Sequence, residues 1–245
     1  MPKITALWAV PRSTSTAFEW MMRQRGDMTC FHEPFGEAWY QGEDPLWPRL
    51  TEDSVRTPGL TLDGVRKMLE VEAAKGSVFS KDFPHYVEHM WDDALYDLFT
   101  HSFLVRDPAK TISSMYDKWP DFHEAEVGFA EQRALFDRLT DRFGAPPPVI
   151  DSDDLLENPA GITEAWCNAV GIPFIEGALS WEPGARDEVS WWDGGVFHAN
   201  LRDSDGLKPQ ARKYVEITDA PNRVQEVHAR VRPHYEHLYQ FRITG

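Results

Sequence analysis

The sequence predicts an α/β protein in which a parallel sheet is flanked by helices. Short apolar runs alternate with amphipathic stretches of helical period, an order typical of strand–helix–strand units. Of the 245 residues, 42% are hydrophobic, which is enough for one sizeable core. Because no internal repeat or obvious linker divides the chain, we expect a single domain over residues 1–245.

Five short apolar runs are predicted to form the strands of the sheet. They are Ile4–Val10, Met28–His32, Ser77–Phe83, His101–Val105 and Pro148–Ser152. Ligands of parallel sheets bind beyond the carboxyl ends of the strands. The candidate segments for ligand binding or catalysis are therefore Pro11–Thr16, His32–Pro34, Lys81–Phe83 and Arg106–Pro108.

Apolar residues at helical spacing predict the helices that cover this sheet. These are Thr14–Arg25, Leu62–Lys75, a stretch ending at Tyr96, a helix that begins after Pro108, and Pro221–Arg242. Pro233 is expected to kink or divide the last helix. The tryptophan-rich stretch at about 181–206 is predicted to be a long ordered loop, a common place for a lid.

The charge balance restricts the partners of the protein. It has 40 acidic and 25 basic residues, a net charge of −15, whereas a general nucleic-acid binder needs a basic face. No apolar run approaches the roughly 18–20 residues that span a bilayer, and the N-terminus lacks the layout of a signal peptide. Cys30 and Cys167 cannot build a disulfide framework. We therefore expect a cytoplasmic protein without a nucleic-acid or membrane partner.

A hydroxyl-rich turn, PRSTSTAF, follows the first strand at Pro11–Phe18. A turn that opens a helix offers backbone N–H groups, hydroxyl groups and the positive end of the helix dipole to a phosphate or sulfate, and Arg12 adds a cation. The alternative is that Ser13 or Thr14 merely caps the helix. The turn lacks the glycines and lysine of a Walker A loop, which disfavours an NTP kinase and favours an anion site without a metal.

A second candidate anion site follows the fourth predicted strand, in the segment HSFLVRDPAKTISS. Arg106 ends the strand and Ser114 lies eight residues later in the next helix, so the two side chains are candidates to hold a second phosphate. The alternative is a surface pair between Arg106 and Asp107, with Ser114 on a solvated helix face.

In their order and spacing, the two segments resemble the paired nucleotide signatures of sulfotransferases that use 3′-phosphoadenosine-5′-phosphosulfate (PAPS). The resemblance implies that a first group of residues holds the 5′-phosphosulfate: Arg12, Ser13, Thr14, Ser15 and Thr16. It assigns Arg106 and Ser114 to the 3′-phosphate. It also implies a three-layer, P-loop-like α/β fold without NTPase activity, with no metal required and 3′-phosphoadenosine-5′-phosphate (PAP) as the product.

The resemblance extends more loosely from about Ile4 to Gly171, and Asp151–Pro159 resembles the strand and acidic turn that precede a helix in the family. The sequence is closer to diverse bacterial sulfotransferases than to the animal cytosolic enzymes. Thr14 replaces a glycine that is common in the first loop. Ala17 replaces a tryptophan that often stacks on adenine, which leaves the adenine contact unassigned.

Sulfuryl transfer needs a cation for the leaving group and a base for the acceptor proton. Lys81 falls where many family members have a strand-end lysine; the alternative is a solvated lysine. In FHEPF, the Glu33–Pro34 pair resembles the glutamate base of carbohydrate-type sulfotransferases, with His32 as the neighbour that tunes or replaces it. The alternative is that Glu33 is a structural carboxylate paired with an arginine.

Two further residues near Lys81 are alternative bases. Phe83 stands where cytosolic members carry a catalytic histidine, so Asp82 and His85 remain local candidates. His85 also begins HYVEH, which fits an H-x-x-E-H zinc pattern. No third ligand is evident and so short a match arises by chance, so we expect no metal.

Two weaker signals lie in the C-terminal third of the chain. Trp181, Trp191 and Trp192 are candidates for an aromatic acceptor pocket, with ordinary packing as the alternative. Arg212-Lys213 resembles a late element that meets the 3′-phosphate, although Tyr214 stands where the family has glycine.

The leading hypothesis is a PAPS-dependent sulfotransferase that acts on a hydroxyl of a small molecule. The acceptor class stays open among alcohols, sugars, phenols and natural products, and so does the oligomeric state. The alternatives are a nucleotide-dependent kinase on a related fold and a nucleotide-binding module without catalysis.

Overall fold

The computed structural model describes residues 4–184, 189, 199–209 and 215–245. Its centre is one parallel sheet in the order β2-β3-β1-β4-β5. The strands are β1 Ile4–Ala9, β2 Thr29–His32, β3 Val78–Asp82, β4 Phe99–Val105 and β5 Val149–Asp151. Each coincides with a predicted strand, and the largest difference is that β4 begins at Phe99 rather than at His101.

The central strand β1 is buried along its whole length, because helices cover both faces of the sheet. It pairs with β3 and β4 in a register that matches Ile4 with both Val78 and Phe99. The carboxyl ends of these three strands therefore meet at one edge of the sheet. The predicted P-loop-like α/β fold is confirmed.

The helices connect successive strands or pack on the sheet. Those before β5 are α1 Ser15–Gln24, α2 Pro34–Gln41, α3 Leu62–Ala73, α4 Asp93–Leu98, α5 Pro108–Lys118 and α6 Phe129–Phe143. Those after β5 are α7 Ser152–Glu157, α8 Pro159–Val170, α9 Ala199–Arg202 and α10 Asn222–Tyr239. The sequence did not predict α2, yet this helix begins directly after Glu33 and borders the site.

The predicted helical stretch ending at Tyr96 is wrong in its first half. Two 3₁₀ turns, Pro84–Tyr86 and Glu88–Met90, precede α4. Residues 84–87 are all buried, whereas a surface helix buries only one stripe. Short turns satisfy this continuous burial, and a regular amphipathic helix does not.

Helix α10 continues through Pro233, so of the two predicted effects the division of the helix is wrong, and the kink stays a prediction. Proline removes the N–H that would bond to the carbonyl of Ala229, and Ala229 is exposed, so water can take the place of that donor. The helix buries Val224, Val227 and Val231 in a cluster with residues of α5. This packing offsets the lost hydrogen bond.

The tryptophan-rich stretch is described only in part. Trp181 is buried and donates its indole N–H to the Ser204 hydroxyl at 3.1 Å, which is ordinary packing. Outside the described residues lie Trp191, Trp192, Arg212, Lys213 and Tyr214. Among the helices that the structure describes, none combines the length and the apolar character needed to cross a bilayer.

Candidate active site

A cavity of about 500 Å³ opens at the carboxyl edge of the sheet. The turn after β1, residues 11–17, forms one side of it and is called the first loop below. Of the predicted site residues, those that line the cavity are Arg12, Ser13, Thr14, Ser15, Thr16, Glu33, Arg106 and Ser114. His32 and Lys81 do not line it. The sheet thus brings both predicted anion sites and one candidate base to the same cavity.

The first loop ends at the N-terminus of α1 in an unusual backbone conformation. Arg12 and Thr14 have positive φ angles of 63° and 75°. Thr14 is the N-cap residue of α1, but its hydroxyl pairs with the Ser152 hydroxyl at 2.6 Å and does not cap the helix. The Ala17 N–H bonds to the Thr14 carbonyl at 3.0 Å, so the N–H groups of Ser15 and Thr16 are the ones that can meet a ligand at the positive end of the helix dipole.

The conformation of Thr14 gives a physical reason for the glycine that is common at this position. A left-handed conformation brings the Cβ of an L-residue too close to the following carbonyl, and glycine avoids this contact. In this chain the Thr14–Ser152 hydrogen bond ties the strained residue to the start of α7. The alternative that Thr14 merely caps the helix is wrong. Ser13 does not cap it either, because its hydroxyl donates to the Val10 carbonyl at 2.6 Å.

The two predicted anion sites are joined by direct contacts. The Nε of Arg12 donates to the Ser114 hydroxyl at 3.1 Å, and the Nη1 of Arg106 donates to the Arg12 carbonyl at 2.8 Å. Arg106 and Ser114 are buried. Asp107 caps α5 by accepting from the Ala109 N–H at 2.8 Å. The alternative of a surface Arg106–Asp107 pair with a solvated serine is therefore wrong.

Glu33 is the one candidate base that lines the cavity in the described part of the chain. It is the N-cap residue of α2, at φ 43° and ψ 51° in the left-handed region. Strained residues of this kind cluster at functional sites. Its carboxylate accepts from the Lys81 ammonium at Oε1 and from the Tyr86 hydroxyl at Oε2, the latter at 3.2 Å. The described partners of this carboxylate are thus a lysine and a tyrosine, and its pairing with an arginine stays a prediction.

Lys81 is fully buried at the end of β3, so the alternative of a solvated lysine is wrong. Its ammonium bonds to Glu33 and lies 3.9 Å from Glu19 Oε2. This arrangement places the cation behind the candidate base rather than on the cavity wall. The geometry supports a role through Glu33 more than direct contact with a leaving group.

His32 faces away from the cavity, toward α1, and is not placed to replace Glu33. Its Nδ1 lies 2.6 Å from Glu19 Oε2, and Arg23 pairs with the same carboxylate at 2.8 Å. Burial opposes ionisation of Glu19, but His32, Lys81 and Arg23 outweigh it and lower its pKa to about 2. Glu19 belongs to no motif of the sequence; its i,i+4 spacing to Arg23 is visible there, but its burial is not.

Asp82 and His85, the other candidate bases, also lie outside the cavity wall. Asp82 accepts from the N–H groups of Phe35 and Gly36 at 3.1 and 3.4 Å, so it holds the start of α2. Burial raises the pKa of Asp82 well above its usual value. His85 stacks on Phe83 with ring centroids 5.8 Å apart, and burial lowers its pKa to about 3. Asp82 thus holds a helix start and His85 packs on an aromatic ring, and neither side chain lines the cavity.

The H-x-x-E-H match does not form a metal site in this structure. His85 is buried and His89 is exposed, and each belongs to a different 3₁₀ turn. Across the described residues, no group of three or more histidine, cysteine, aspartate or glutamate side chains is arranged to hold a metal ion.

The side of the cavity near Glu33 is lined by residues that no sequence motif assigns to a site. Aromatic side chains lining it are Tyr40, Trp47, Phe83 and Tyr86. Arg49 also lines it and bonds to the buried Glu126 through two nitrogens, each at 3.0 Å. These residues follow no motif, and only the packing of α2 and the following segment against the sheet brings them together.

The fold and the cavity define a class of protein: a P-loop-like α/β domain with a cationic helix N-terminus at the carboxyl edge of its sheet. Comparison with protein families identifies the particular family. The chain matches the sulfotransferase domain family over residues 2–213, and it belongs to that family. The predicted family is therefore confirmed.

Solved structures of similar fold include two sulfotransferase domains. The domain from the curacin biosynthetic pathway has a TM-score of 0.51 and 15% identity, covering 94% of this chain and 98% of that chain. The domain from the Synechococcus PCC 7002 olefin synthase has a TM-score of 0.57 and 15% identity, covering 99% and 96%. At this identity the likeness concerns the fold.

Similar curated proteins include the branched-chain-amino-acid aminotransferase-like proteins 2 and 1 of Arabidopsis thaliana. They are 27% and 26% identical to this chain and cover 76% and 78% of it. The matched region is 33% and 35% of their own length, so this chain spans about a third of these relatives.

The left-handed conformation of Thr14 makes a prediction about stability. Thr14→Ala and Thr14→Gly both remove the hydrogen bond to Ser152, but only glycine relieves the backbone strain. In urea denaturation we expect Thr14→Gly to have a free energy of unfolding about 1 kcal/mol higher than Thr14→Ala. Ser152→Ala measures the hydrogen bond alone. If the two Thr14 variants are equally stable, the left-handed backbone at this position costs alanine no more than glycine, and the prediction is wrong.

The pKa of Glu19 makes a prediction about acid stability. Because its pKa is about 2 in the folded protein and 4.5 ordinarily, its stabilisation is present above pH 4.5 and lost as pH falls toward 2. Between pH 5 and 3 we expect wild type to lose about 2 kcal/mol of this stabilisation, at about 1.4 kcal/mol per pH unit below 4.5, and Glu19→Gln not to show this loss. The measurement is the free energy of unfolding between pH 5 and 3, with the exposed Glu226→Gln as control. Parallel curves for wild type and Glu19→Gln would contradict it.

Proposed function

We propose that the protein transfers a sulfuryl group from PAPS to a hydroxyl of a small-molecule acceptor, with PAP as the product. The observation that carries the proposal is the arrangement around the cavity. The first loop and Arg106 form its anion-binding side, and Glu33 lies on the wall of the same cavity. The acidic net charge disfavours a nucleic-acid partner. The cytoplasmic location stays a prediction from the sequence.

The anion-binding side suits the two charged groups of PAPS. The N-terminus of α1 and the cation of Arg12 would bind the 5′-phosphosulfate, because both offer donors to an anion. Arg106 and Ser114 would bind the 3′-phosphate. The contact of Arg12 with Ser114 makes the two subsites neighbours, as two groups of one nucleotide require.

The reaction we propose is an in-line displacement at sulfur. The acceptor O–H bond breaks as its proton passes to Glu33, and the acceptor oxygen forms a bond to sulfur. The bond from sulfur to the bridging oxygen breaks, and its electron pair stays on the 5′-phosphate of PAP. The helix N-terminus and Arg12 stabilise that charge. Glu33 then releases the proton to solvent.

The acceptor side of the cavity favours an organic molecule with an apolar portion. Tyr40, Trp47 and Phe83 line it together with Val55. Aromatic faces bury flat or apolar groups, and few polar groups near Glu33 then suffice to orient one hydroxyl. The structural neighbours belong to a biosynthetic pathway and a synthase, which is consistent with an organic acceptor.

Nucleotide binding is tested by a thermal shift with PAP and, separately, with ATP and Mg²⁺. At PAP about 100-fold above its Kd, mass action stabilises the folded state by about 2.7 kcal/mol. We expect PAP to raise Tm, Arg106→Ala to abolish the shift, and Arg142→Ala to keep it, since Arg142 pairs with Asp93 away from the cavity. Circular dichroism verifies folding. A shift with ATP–Mg²⁺ alone would favour a kinase, and no shift with either would refute nucleotide binding.

The catalytic assignment is tested by PAP release from PAPS with a panel of phenols, sugars and alkyl alcohols, followed by mass spectrometry. We expect Glu33→Gln to lower kcat by about 10²–10⁴-fold, because it removes the proton acceptor, and to retain the PAP thermal shift. Glu37→Gln is the matched control on the same helix, α2. Equal kcat in Glu33→Gln and wild type would reject Glu33 as the base. Binding of PAP without turnover in wild type would indicate a module without catalysis.

A further inference from the structure

In the described part of the chain, each oxygen of the Glu33 carboxylate accepts a hydrogen bond from a side chain. The Lys81 ammonium donates to Oε1, and the Tyr86 hydroxyl donates to Oε2 at 3.2 Å. Tyr86 lines the cavity with Glu33, whereas Lys81 does not. Tyr86 is therefore the partner of Glu33 on the side where an acceptor would bind.

The backbone of Glu33 is fixed, but its side chain needs separate restraints. Its N–H donates to the Lys81 carbonyl at 2.8 Å, and its carbonyl accepts from the Glu37 N–H at 3.0 Å. A glutamate still has three rotatable side-chain bonds. The Lys81 ammonium restrains Oε1 and the Tyr86 hydroxyl restrains Oε2, and contacts at both oxygens define the plane of the carboxylate.

The ring of Tyr86 is held firmly enough to serve as such a restraint. It packs against Trp39, Phe83 and His85 with ring centroids 5.3, 5.2 and 4.4 Å away. Gly36 in α2 provides the space, because a Cβ at this position would lie 2.6 Å from Cε2 of the ring. The helix that begins after Glu33 is thus shaped around Tyr86, and close packing resists any other ring position.

The Tyr86 hydroxyl acts as a hydrogen-bond donor at all working pH values. Burial raises its pKa well above 10, and the charge of Glu33 raises it further. A donor to a carboxylate favours the ionised form over the acid. Loss of this donor would allow Glu33 to take up a proton at higher pH and would leave its carboxylate less well oriented.

We propose that Tyr86 is a positioning residue for Glu33: its hydroxyl directs the carboxylate toward the acceptor hydroxyl and keeps it ionised. This inference rests on the proposed role of Glu33 as the base. Tyr86 itself takes no proton from the acceptor. It acts through the orientation and the charge state of its neighbour.

The test is Tyr86→Phe, which removes the hydroxyl and keeps the ring. With an acceptor found in the PAPS panel, we expect kcat to fall about ten- to a hundredfold, the loss of one hydrogen bond to a charged group. The KM for PAPS and the PAP thermal shift stay unchanged. The acid limb of the kcat profile moves to higher pH, a shift that a purely structural role would not produce.

Tyr235→Phe is the matched control. It removes a similar hydrogen bond, from the Tyr235 hydroxyl to Asp151 Oδ2 at 3.1 Å, from a tyrosine that does not line the cavity. We expect its kcat and pH profile to equal those of wild type. If Tyr86→Phe matches wild type in both, or lowers kcat without moving the acid limb, the positioning role is overturned.

A second readout does not depend on turnover. In protein labelled with ¹³C at the glutamate carboxyl carbons, the signal absent from Glu33→Gln identifies Glu33, and its pH titration is followed by NMR. We expect the midpoint to lie at higher pH in Tyr86→Phe than in wild type or Tyr235→Phe. An unchanged midpoint overturns the inference. Absence of PAP release by wild type would refute the proposed function alone, and the NMR midpoint would still decide the role of Tyr86.

Discussion

The site depends on one buried lysine, Lys81, which lies between two carboxylates. Its ammonium bonds to Glu33 and lies 3.9 Å from Glu19, and it has no exposed surface. Desolvation makes such a charge costly unless it is paired, so removal of one partner typically costs about 3–5 kcal/mol. The pairs therefore fix β3 and the helices α1 and α2 relative to one another. Glu33 lines the cavity because the buried Lys81 ammonium holds its carboxylate from the side that faces the protein interior.

The side of the cavity formed by the first loop depends on backbone conformation rather than on buried ion pairs. The first loop contains two residues with positive φ, Arg12 and Thr14, which turn the chain sharply from β1 into α1. This turn exposes the helix N-terminus, and the contacts of Arg12 with Ser114 and Arg106 add cations beside it. Backbone N–H groups and a few local charges thus form the proposed anion site in a protein of net charge −15.

Sulfuryl transfer as we propose it needs these two sides to work together. Developing negative charge on the leaving oxygen requires the cationic side, and removal of the acceptor proton requires a carboxylate that stays ionised. The low dielectric of a buried site strengthens both effects and also makes unpaired charges costly. On the aromatic wall near Glu33, the Tyr40 hydroxyl donates to Glu126 Oε1 at 3.4 Å, and Glu126 pairs with Arg49 at 3.0 Å.

The sequence by itself determined the parallel sheet and the loop residues that line the cavity, because strand periodicity and the order of short motifs are local properties. It left several candidate bases near Glu33, and only the tertiary structure shows which of them lines the cavity. In the register of the sheet His32 pairs with Lys81, so both side chains point to the face covered by α1. Asp82, the next residue, points to the opposite face and caps α2. Such directions, and the approach of Tyr86 from a distant turn, arise only when the elements pack together.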